Sequence, residues 1–215
     1  MRVVDLSIAI EPRMHTYPGE PRVLLSHLFT HEKDNVNILR IDSIDTHAGT
    51  HVDVPLHHIE NGLDASSFPL DRFIGEAIAI WVPRGPKELV TPGHLLEADI
   101  RKDDILAVYM GWEHSRSLGT FFTETPGFSS DCADFLIGKG IKCVATDAAS
   151  VDSITNLGAP FHHKVLEAGI GIVEALVNLK ELVGKRFFFA ALPLKIAGGD
   201  GSPVRAVALF DDAPK

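Results

Sequence analysis

The chain has 215 residues, which fits one domain, 1–215, with room for a sizeable core, and its 45% hydrophobic share is typical of a globular protein. Its formal net charge is −9 and its lysines and arginines are scattered, which argues against nucleic-acid binding. No charge-free apolar stretch is long enough to span a bilayer, and the N-terminal MRVVDLSIAI lacks a cleavage pattern. We therefore expect a cytoplasmic protein that neither binds nucleic acid nor enters a membrane.

Strands outnumber helices in the predicted order of elements. The predicted strands are Val3–Ile10, Val23–Phe29, Val36–Ile44, Glu76–Val82, Ile105–Met110, Ile141–Thr146, Ile170–Ala175, Lys185–Ile196 and Val204–Phe210. The predicted helices are Thr91–Ala98, a helix capped by Ser129 that runs to Gly138, and a short helix from His162 that Gly169 ends. Short helices scattered among many strands indicate an α/β or α+β fold with a large mixed sheet.

Residues 47–58 are the most informative stretch, because they hold four histidines and an aspartate. His51 and Asp53 are two residues apart, so their side chains leave an extended chain on one face. Gly49 lets the backbone fold back, which brings His47 towards them. Imidazole with carboxylate suits Zn²⁺, Mn²⁺, Fe²⁺ or Co²⁺, and burying these groups without a partner is costly. The stretch therefore indicates a metal site.

Two features of the second half also concern buried polar or reactive groups. Glu174 lies in an apolar run, where a carboxylate needs a partner, and both a metal ion and a structural salt bridge would serve. Cys132 and Cys143 form no CxxC, so buried free thiols are expected, with a disulfide as the alternative.

The stretch from His47 to His57 reads HxGTHxDxPxH, and it resembles the signature of the cyclase family of metal-dependent hydrolases, which includes bacterial kynurenine formamidase and isatin hydrolase. Further similar segments are YPGEP at 17–21, DxxSxD at 147–152 and DGSPVR at 200–205. The resemblance implies a swivelling β/β/α fold with a large mixed, barrel-like sheet and short peripheral helices. It also implies a homodimer or homotetramer in which a neighbouring subunit helps close the site.

The resemblance implies one or two divalent ions, with Zn²⁺ expected and Mn²⁺ as the alternative. The implied ligands are His47, His51, Asp53, His162 and Glu174. With two ions, Asp53 would bridge them. With one ion, the three ligands of the first motif and water would hold it.

His57 is the predicted proton-handling residue, because an imidazole titrates near pH 6.5 and other residues fill the ligand positions. The residues assigned to substrate binding are Tyr17, His58, Trp112, Phe121 and Phe122. The alternatives are a turn with a packed ring for Tyr17, a role behind the ligands for His58, a core position for Trp112, and a hydrophobic plug or subunit contact for the two phenylalanines. Asp200 and Arg205 are assigned to turn or interface structure.

The resemblance implies hydrolysis of an amide-type C–N bond in a small molecule by metal-activated water, as in the conversion of N-formyl-L-kynurenine to L-kynurenine and formate. One alternative is a cyclic amide, imide or lactone hydrolase of the isatin-hydrolase kind. Another is a non-catalytic binding module in which a metal ion only stabilises the structure. An intact His57 argues against the last, since a closed structural site needs no spare base.

Overall fold

A computed structural model describes residues 1–210, so residues 211–215 of the predicted domain lie outside the described part. The strands are β1 (Arg2–Asp5), β2 (Leu24–Phe29), β3 (Ile38–Ser43), β4 (His51–Asp53), β5 (Ile74–Trp81), β6 (Leu89–Val90), β7 (Ile105–Tyr109), β8 (Gly127–Phe128), β9 (Cys143–Thr146), β10 (Gly171–Glu174), β11 (Arg186–Ala190), β12 (Gly201–Pro203) and β13 (Val207–Phe210). The helices are α1 (His31–Asp34), α2 (Ser130–Lys139) and α3 (Pro160–Glu167). Single 3₁₀ turns cover Pro55–His57, Leu70–Phe73, Pro92–His94, Trp112–Ser115 and Leu179–Leu182.

One large mixed sheet organises the molecule. Its strands lie in the order β1-β13-β11-β5-β7-β9-β10-β4-β12. The central neighbours β5, β7, β9 and β10 run parallel, and every other pairing of strands in this sheet is antiparallel. The predicted fold class, a mixed α/β fold with a large sheet and short helices, is confirmed.

The central strands are buried on both faces, as parallel strands usually are. Along β7, Leu106 and Val108 pack with the apolar residues of α2 and α3. Ile105 and Ala107 on the same strand face the opposite core, which is built with β1, β11 and β13. The central strands are therefore packed on both sides, and the sheet continues from them through β10 and β4 to β12 at its end.

A second, two-stranded sheet stands apart from the first. Within residues 1–210, β2 and β3 pair only with each other. The sequence predicted one solvated face for β3, whereas its residues from Ile38 to Asp42 are exposed on both faces. This β2–β3 hairpin leads directly into the segment that carries His47.

Three predicted elements are wrong in extent. The strand Lys185–Ile196 stops at Ala190, and Pro193, which has no amide hydrogen to donate to a ladder, follows shortly after. The predicted helix Thr91–Ala98 is only a 3₁₀ turn over Pro92–His94, and Gly93, which has a low helix propensity, lies within it.

The third predicted element with the wrong extent is the strand Val3–Ile10, because β1 ends at Asp5. Both cysteines are buried free thiols, as predicted. No helix within residues 1–210 has the length and apolarity needed to cross a membrane.

Candidate metal centre

Strand β4 forms the base of the site and lies between β10 and β12. Its residues His51 and Asp53 share a face, as their spacing predicted. The antiparallel register places Glu174 of β10 directly opposite His51 and Gly201 of β12 opposite Asp53. Cross-strand partners in such pairs have adjacent side chains, so residues far apart in sequence meet here.

The carboxylate of Asp53 lies at the centre of the cluster. Its Oδ1 is 3.0 Å from Nδ1 of His47 and 3.5 Å from Nε2 of His51. Its Oδ2 is 3.7 Å from Nε2 of His162 and has no hydrogen-bond partner among the described residues, although Asp53 is fully buried. A buried carboxylate oxygen without a partner is costly, and a cation would satisfy it.

Glu174 closes the other side of the cluster. Its Oε2 is 3.4 Å from Nε2 of His51, and its Oε1 is 3.2 Å from Nε2 of His162. Oε1 also accepts a hydrogen bond of 2.6 Å from the amide of Val151. The charged or potentially charged partners of Glu174 are thus imidazoles that face the same point as Asp53.

The geometry of these five side chains fits a divalent cation such as zinc. Two ligand atoms about 2.1 Å from a tetrahedral Zn²⁺ ion are about 3.4 Å apart, close to the separations in this cluster. Nδ1 of His51 is 3.0 Å from the Gly49 carbonyl, and Nδ1 of His162 is 2.7 Å from Oδ2 of Asp152. Each Nδ1–H has an acceptor, so each Nε2 keeps its lone pair for a metal.

Local backbone structure holds these donors in place. Gly49 adopts a φ of +70°, which favours glycine, so the chain folds back between His47 and His51 as the sequence predicted. Thr50 is buried and donates its hydroxyl to the carbonyl of Ala175, next to Glu174. Asp152 accepts the amide of His162 at 2.9 Å and so fixes the start of α3.

Electrostatic coupling within the cluster is strong. Burial alone would lower the pKa of His47, but hydrogen bonds to Asp200 and Asp53 outweigh it and raise that pKa to about 11. Burial acts on His162 in the same sense, yet its hydrogen bond to Asp152 and the neighbouring carboxylates of Asp53 and Glu174 leave its pKa well above the ordinary value. Burial alone would raise the pKa of Asp53, but the neighbouring imidazoles of His51, His162 and His47 hold that pKa well below its usual range. The carboxylates therefore need a compensating positive charge in the cluster, which protonated imidazoles or a bound cation would supply.

His57 lies at the end of the 3₁₀ turn Pro55–His57, beside the cluster. Its ring centroid is 4.2 Å from that of His47 and 5.8 Å from that of His162. It lines a cavity of about 550 Å³ into which the cluster opens. Other residues lining this cavity are Tyr17, Glu20, His58, Phe122, Ser150, Asn156 and His163.

The structure brings Tyr17, His58 and Phe122, but not Trp112 and Phe121, to this cavity. Trp112 is the core residue that was the alternative, and its indole donates a hydrogen bond of 2.9 Å to the carbonyl of Phe121. Phe121 is buried and lines a second cavity of about 430 Å³, so the substrate contact predicted for these two side chains is corrected.

His58 has a lowered pKa. Burial is the largest influence and lowers its pKa, and the nearby His162 and His57 lower it further, to about 4. His58 is therefore neutral at physiological pH, and it presents one donor and one acceptor to the cavity.

Sequence reasoning missed the role of Asp200. It was assigned to turn or interface structure, but its Oδ2 is 3.1 Å from Nε2 of His47 and 3.4 Å from Nδ1 of His57. The hydrogen bonds from these two imidazoles, His47 first, hold the pKa of Asp200 well below its usual range. Its position in the GGDGSP segment gave no signal, because acidic residues beside glycines are typical of turns.

The fold and this set of donors together define a metal-dependent hydrolase. Residues 4–153 match the Cyclase family model, which covers more than half of the chain. The chain belongs to the Cyclase family.

Curated and solved relatives agree with this assignment. The chain is 33% identical to the kynurenine formamidase of Salinibacter ruber, over 100% of this chain and 99% of that protein. It is 27% identical to a predicted metal-dependent hydrolase from Bacillus stearothermophilus, with a TM-score of 0.79, over 96% of this chain and 97% of the other. Isatin hydrolase A from Ralstonia solanacearum shares the fold, with a TM-score of 0.86 at 22% identity, over 98% of this chain and 92% of the other.

Proposed function

We propose that the chain hydrolyses an amide-type C–N bond in a small molecule, converting N-formyl-L-kynurenine to L-kynurenine and formate. The observation that carries the proposal is the convergence of the buried donors on Asp53, with His57 beside them at the wall of a cavity. The full-length similarity to a kynurenine formamidase supports the substrate class.

The five converging side chains are the proposed ligands of one or two divalent ions, with Zn²⁺ preferred over Mn²⁺. Three imidazoles and two carboxylates match the donor preference of zinc. Asp53 faces imidazoles on both of its oxygens, which supports a bridging role if two ions bind. When bound, the metal lowers the pKa of a coordinated water from about 15.7 towards 7 and polarises the substrate carbonyl.

His57 is the proposed catalytic acid and base. It takes a proton from the attacking water as the new C–O bond forms, and it delivers that proton to the departing amine nitrogen as the C–N bond breaks. The products are then formate and a free amine. The ring of His57 lies next to that of His47 and has a nitrogen within 4.8 Å of donor atoms of His47 and Asp53, so it is close enough to the proposed ligands for this role.

The lining of the cavity favours a formylated amino acid over a flat cyclic amide. Ser150, Asn156, His163 and neutral His58 supply polar contacts that could bind an amino-acid head group, while Tyr17 and Phe122 meet edge to face at 6.0 Å and offer an apolar wall. A compact slot for a cyclic amide would need fewer polar groups.

Side-by-side assays test the substrate and the metal. We expect the zinc-loaded protein to hydrolyse N-formyl-L-kynurenine in preference to isatin, to lose activity on chelation and to regain it with added Zn²⁺. Turnover of isatin alone would replace the proposed substrate with a cyclic amide. A protein that binds no divalent ion would contradict the hydrolase proposal itself.

We also propose that the chain assembles as a homodimer or homotetramer. The β2–β3 hairpin supports this, because a two-stranded sheet on its own is marginally stable and here it displays a row of apolar side chains. The exposed apolar side chains of the hairpin are Leu24, Leu28, Phe29, Val36, Ile38, Leu39 and Ile41. The two free, buried cysteines support a cytoplasmic location.

A further inference from the structure

One carboxylate, Asp200, contacts two imidazoles of the site at once. Its Oδ2 is 3.1 Å from Nε2 of His47 and 3.4 Å from Nδ1 of His57. Its Oδ1 accepts a hydrogen bond of 2.7 Å from the hydroxyl of Thr46, the residue before His47. One oxygen is thus anchored and the other faces the two rings.

The backbone around Asp200 is built to hold it there. Its carbonyl accepts the amide of Val54 at 3.2 Å, which extends the pairing of β12 with β4. A Cβ atom at the next residue, Gly201, would lie 2.6 Å from the carbonyl oxygen of Val52 and 3.0 Å from Cε1 of His47. Only glycine lets β12 lie this close to the histidine, and this approach brings the Asp200 carboxylate to the rings.

An ionised carboxylate only accepts hydrogen bonds, so each ring nitrogen that faces Asp200 must carry a hydrogen. With a cation in the cluster, His47 would keep its hydrogen on Nε2, and its Nδ1, which lies on the Asp53 side, would have its lone pair free for the ion. For His57 this hydrogen is on Nδ1, which leaves Nε2 as the acceptor on a ring that lines the cavity. Opposite nitrogens of the two rings are therefore selected by a single acceptor.

We propose that Asp200 is a positioning residue that fixes the tautomers of His47 and His57 together, so that the ligand and the proton acceptor are set by one side chain. The inference rests on the proposed function, since it assigns the second ring to proton transfer. Asp200 itself stays outside the reacting atoms. A carboxylate behind a histidine orients the ring and selects its tautomer in the same way in many metal sites and catalytic triads.

The test compares Asp200→Asn with Asp64→Asn. Asp64 accepts a hydrogen bond of 2.6 Å from the amide of Gly198, so it stabilises the same turn. Within residues 1–210 its side chain has no hydrogen bond or ion pair with either histidine. The asparagine at 200 keeps the size of the side chain, but its amide group can donate a hydrogen bond where the carboxylate only accepted one. Histidine tautomers are read from two-dimensional ¹H–¹⁵N spectra of the zinc-loaded protein, and the signals of His57 are assigned from the spectrum of His57→Gln.

We expect His57 to be the Nδ1–H tautomer in the wild-type protein and in Asp64→Asn, and to shift towards the Nε2–H tautomer in Asp200→Asn. We expect kcat for N-formyl-L-kynurenine to fall about 10- to 100-fold in Asp200→Asn, with KM changed little. Unchanged histidine tautomers and an unchanged kcat in Asp200→Asn would overturn the proposal. An equal loss of kcat in Asp200→Asn and Asp64→Asn would show that Asp200 only stabilises the turn, and it would also overturn the proposal.

Failure of the proposed role of Asp200 can be distinguished from failure of the proposed hydrolase activity. If the wild-type protein hydrolyses no formylated amine, the proposed activity fails, whereas the tautomer spectra still report on Asp200. If activity is present and the spectra of Asp200→Asn match those of the wild type, the activity stands and the positioning role is excluded. Thermal unfolding of both variants shows whether any loss comes from misfolding.

Discussion

The ring centroids of His47 and His57 are only 4.2 Å apart, yet the surroundings of the two rings differ. Nδ1 of His47 faces the buried Asp53 carboxylate, whereas Nδ1 of His57 faces the more exposed Asp200 carboxylate and its ring lines the cavity. This difference in surroundings allows one ring to hold a cation and the other to move a proton.

Replacing His57 tests this division. We expect His57→Ala to keep its metal but to lose at least ~100-fold in kcat, the lower range for general acid–base catalysis. Metal content by elemental analysis and turnover of N-formyl-L-kynurenine are the measurements. His31→Ala, which alters an exposed histidine of α1 that does not line this cavity, serves as the control. Loss of metal in His57→Ala would make His57 a ligand.

Replacing Asp53, unlike replacing His57, should remove the metal. Both of its oxygens face imidazoles at the centre of the cluster, so Asp53→Ala removes the group that the other donors surround. We expect metal and activity to be lost together, measured on the same preparation. Asp42→Asn, on the exposed hairpin, should retain both. An Asp53→Ala protein that keeps a full complement of metal would contradict the assignment.

Metal affinity should depend steeply on pH. The pKa of His47 is raised to about 11 in the metal-free protein, and the pKa values of His51 and His162 are raised as well. These imidazoles hold protons more tightly than an ordinary imidazole and must release them to become ligands, so metal affinity falls as the pH is lowered. We expect about a tenfold loss in Zn²⁺ affinity per pH unit for each proton released. Titration calorimetry in buffers of different ionisation enthalpy counts those protons, and an affinity that is flat between pH 6 and 8 would contradict it.

At the scale of elements, the three-residue strand β12 matters more to the site than its length suggests. It pairs with β4 and places the backbone of Gly201 against Val52 and His47. We expect Gly201→Ala to push β12 away, lowering Zn²⁺ affinity at least tenfold and lowering the unfolding temperature. Gly138→Ala in α2 is the matched control, because a Cβ there meets nothing within 4 Å, and it should leave both unchanged or raise stability slightly. Wild-type affinity in Gly201→Ala would show that the close approach is not required.

The sequence predicted best those parts of the site that depend on short spacing. His51 and Asp53 share a face because they are two residues apart in a strand, and Gly49 turns the chain as its lack of a Cβ allows. The pairing of β4 with β10 and β12 depends on contacts between distant segments, and nothing local in GDGSP distinguishes a strand from a turn. Asp200 was missed for this reason.

The extent of elements was predicted less well for a related reason. Strand ends are set by what the neighbouring chain can pair with, as where Pro193 follows β11 and the ladder stops at Ala190. Trp112 shows the same limit at the scale of a side chain. A tryptophan after a buried strand suits a cavity wall and a core equally well, and only the three-dimensional packing decided for the core.

At the scale of the whole molecule, the β2–β3 hairpin should mediate self-association. Ile41 is 59% exposed on β3, so we expect Ile41→Glu to weaken or abolish the homo-oligomer. Light scattering after size exclusion gives the mass, and circular dichroism checks the fold. Leu96→Glu places the same charge at a site 66% exposed but outside the hairpin, and it should assemble as the wild type does. A monomeric wild-type protein would contradict the proposed assembly.

The proposed ligands come from segments around residues 50, 160 and 174, and Asp200 from a fourth segment contacts the ring of His47. An ion could be held there only after folding has brought together these segments, which are distant in the sequence. Retention of the ion would then report on completion of the fold, since a chain cut short before β12 would lack the last segment. Freshly made protein could thus be sorted by its metal content alone.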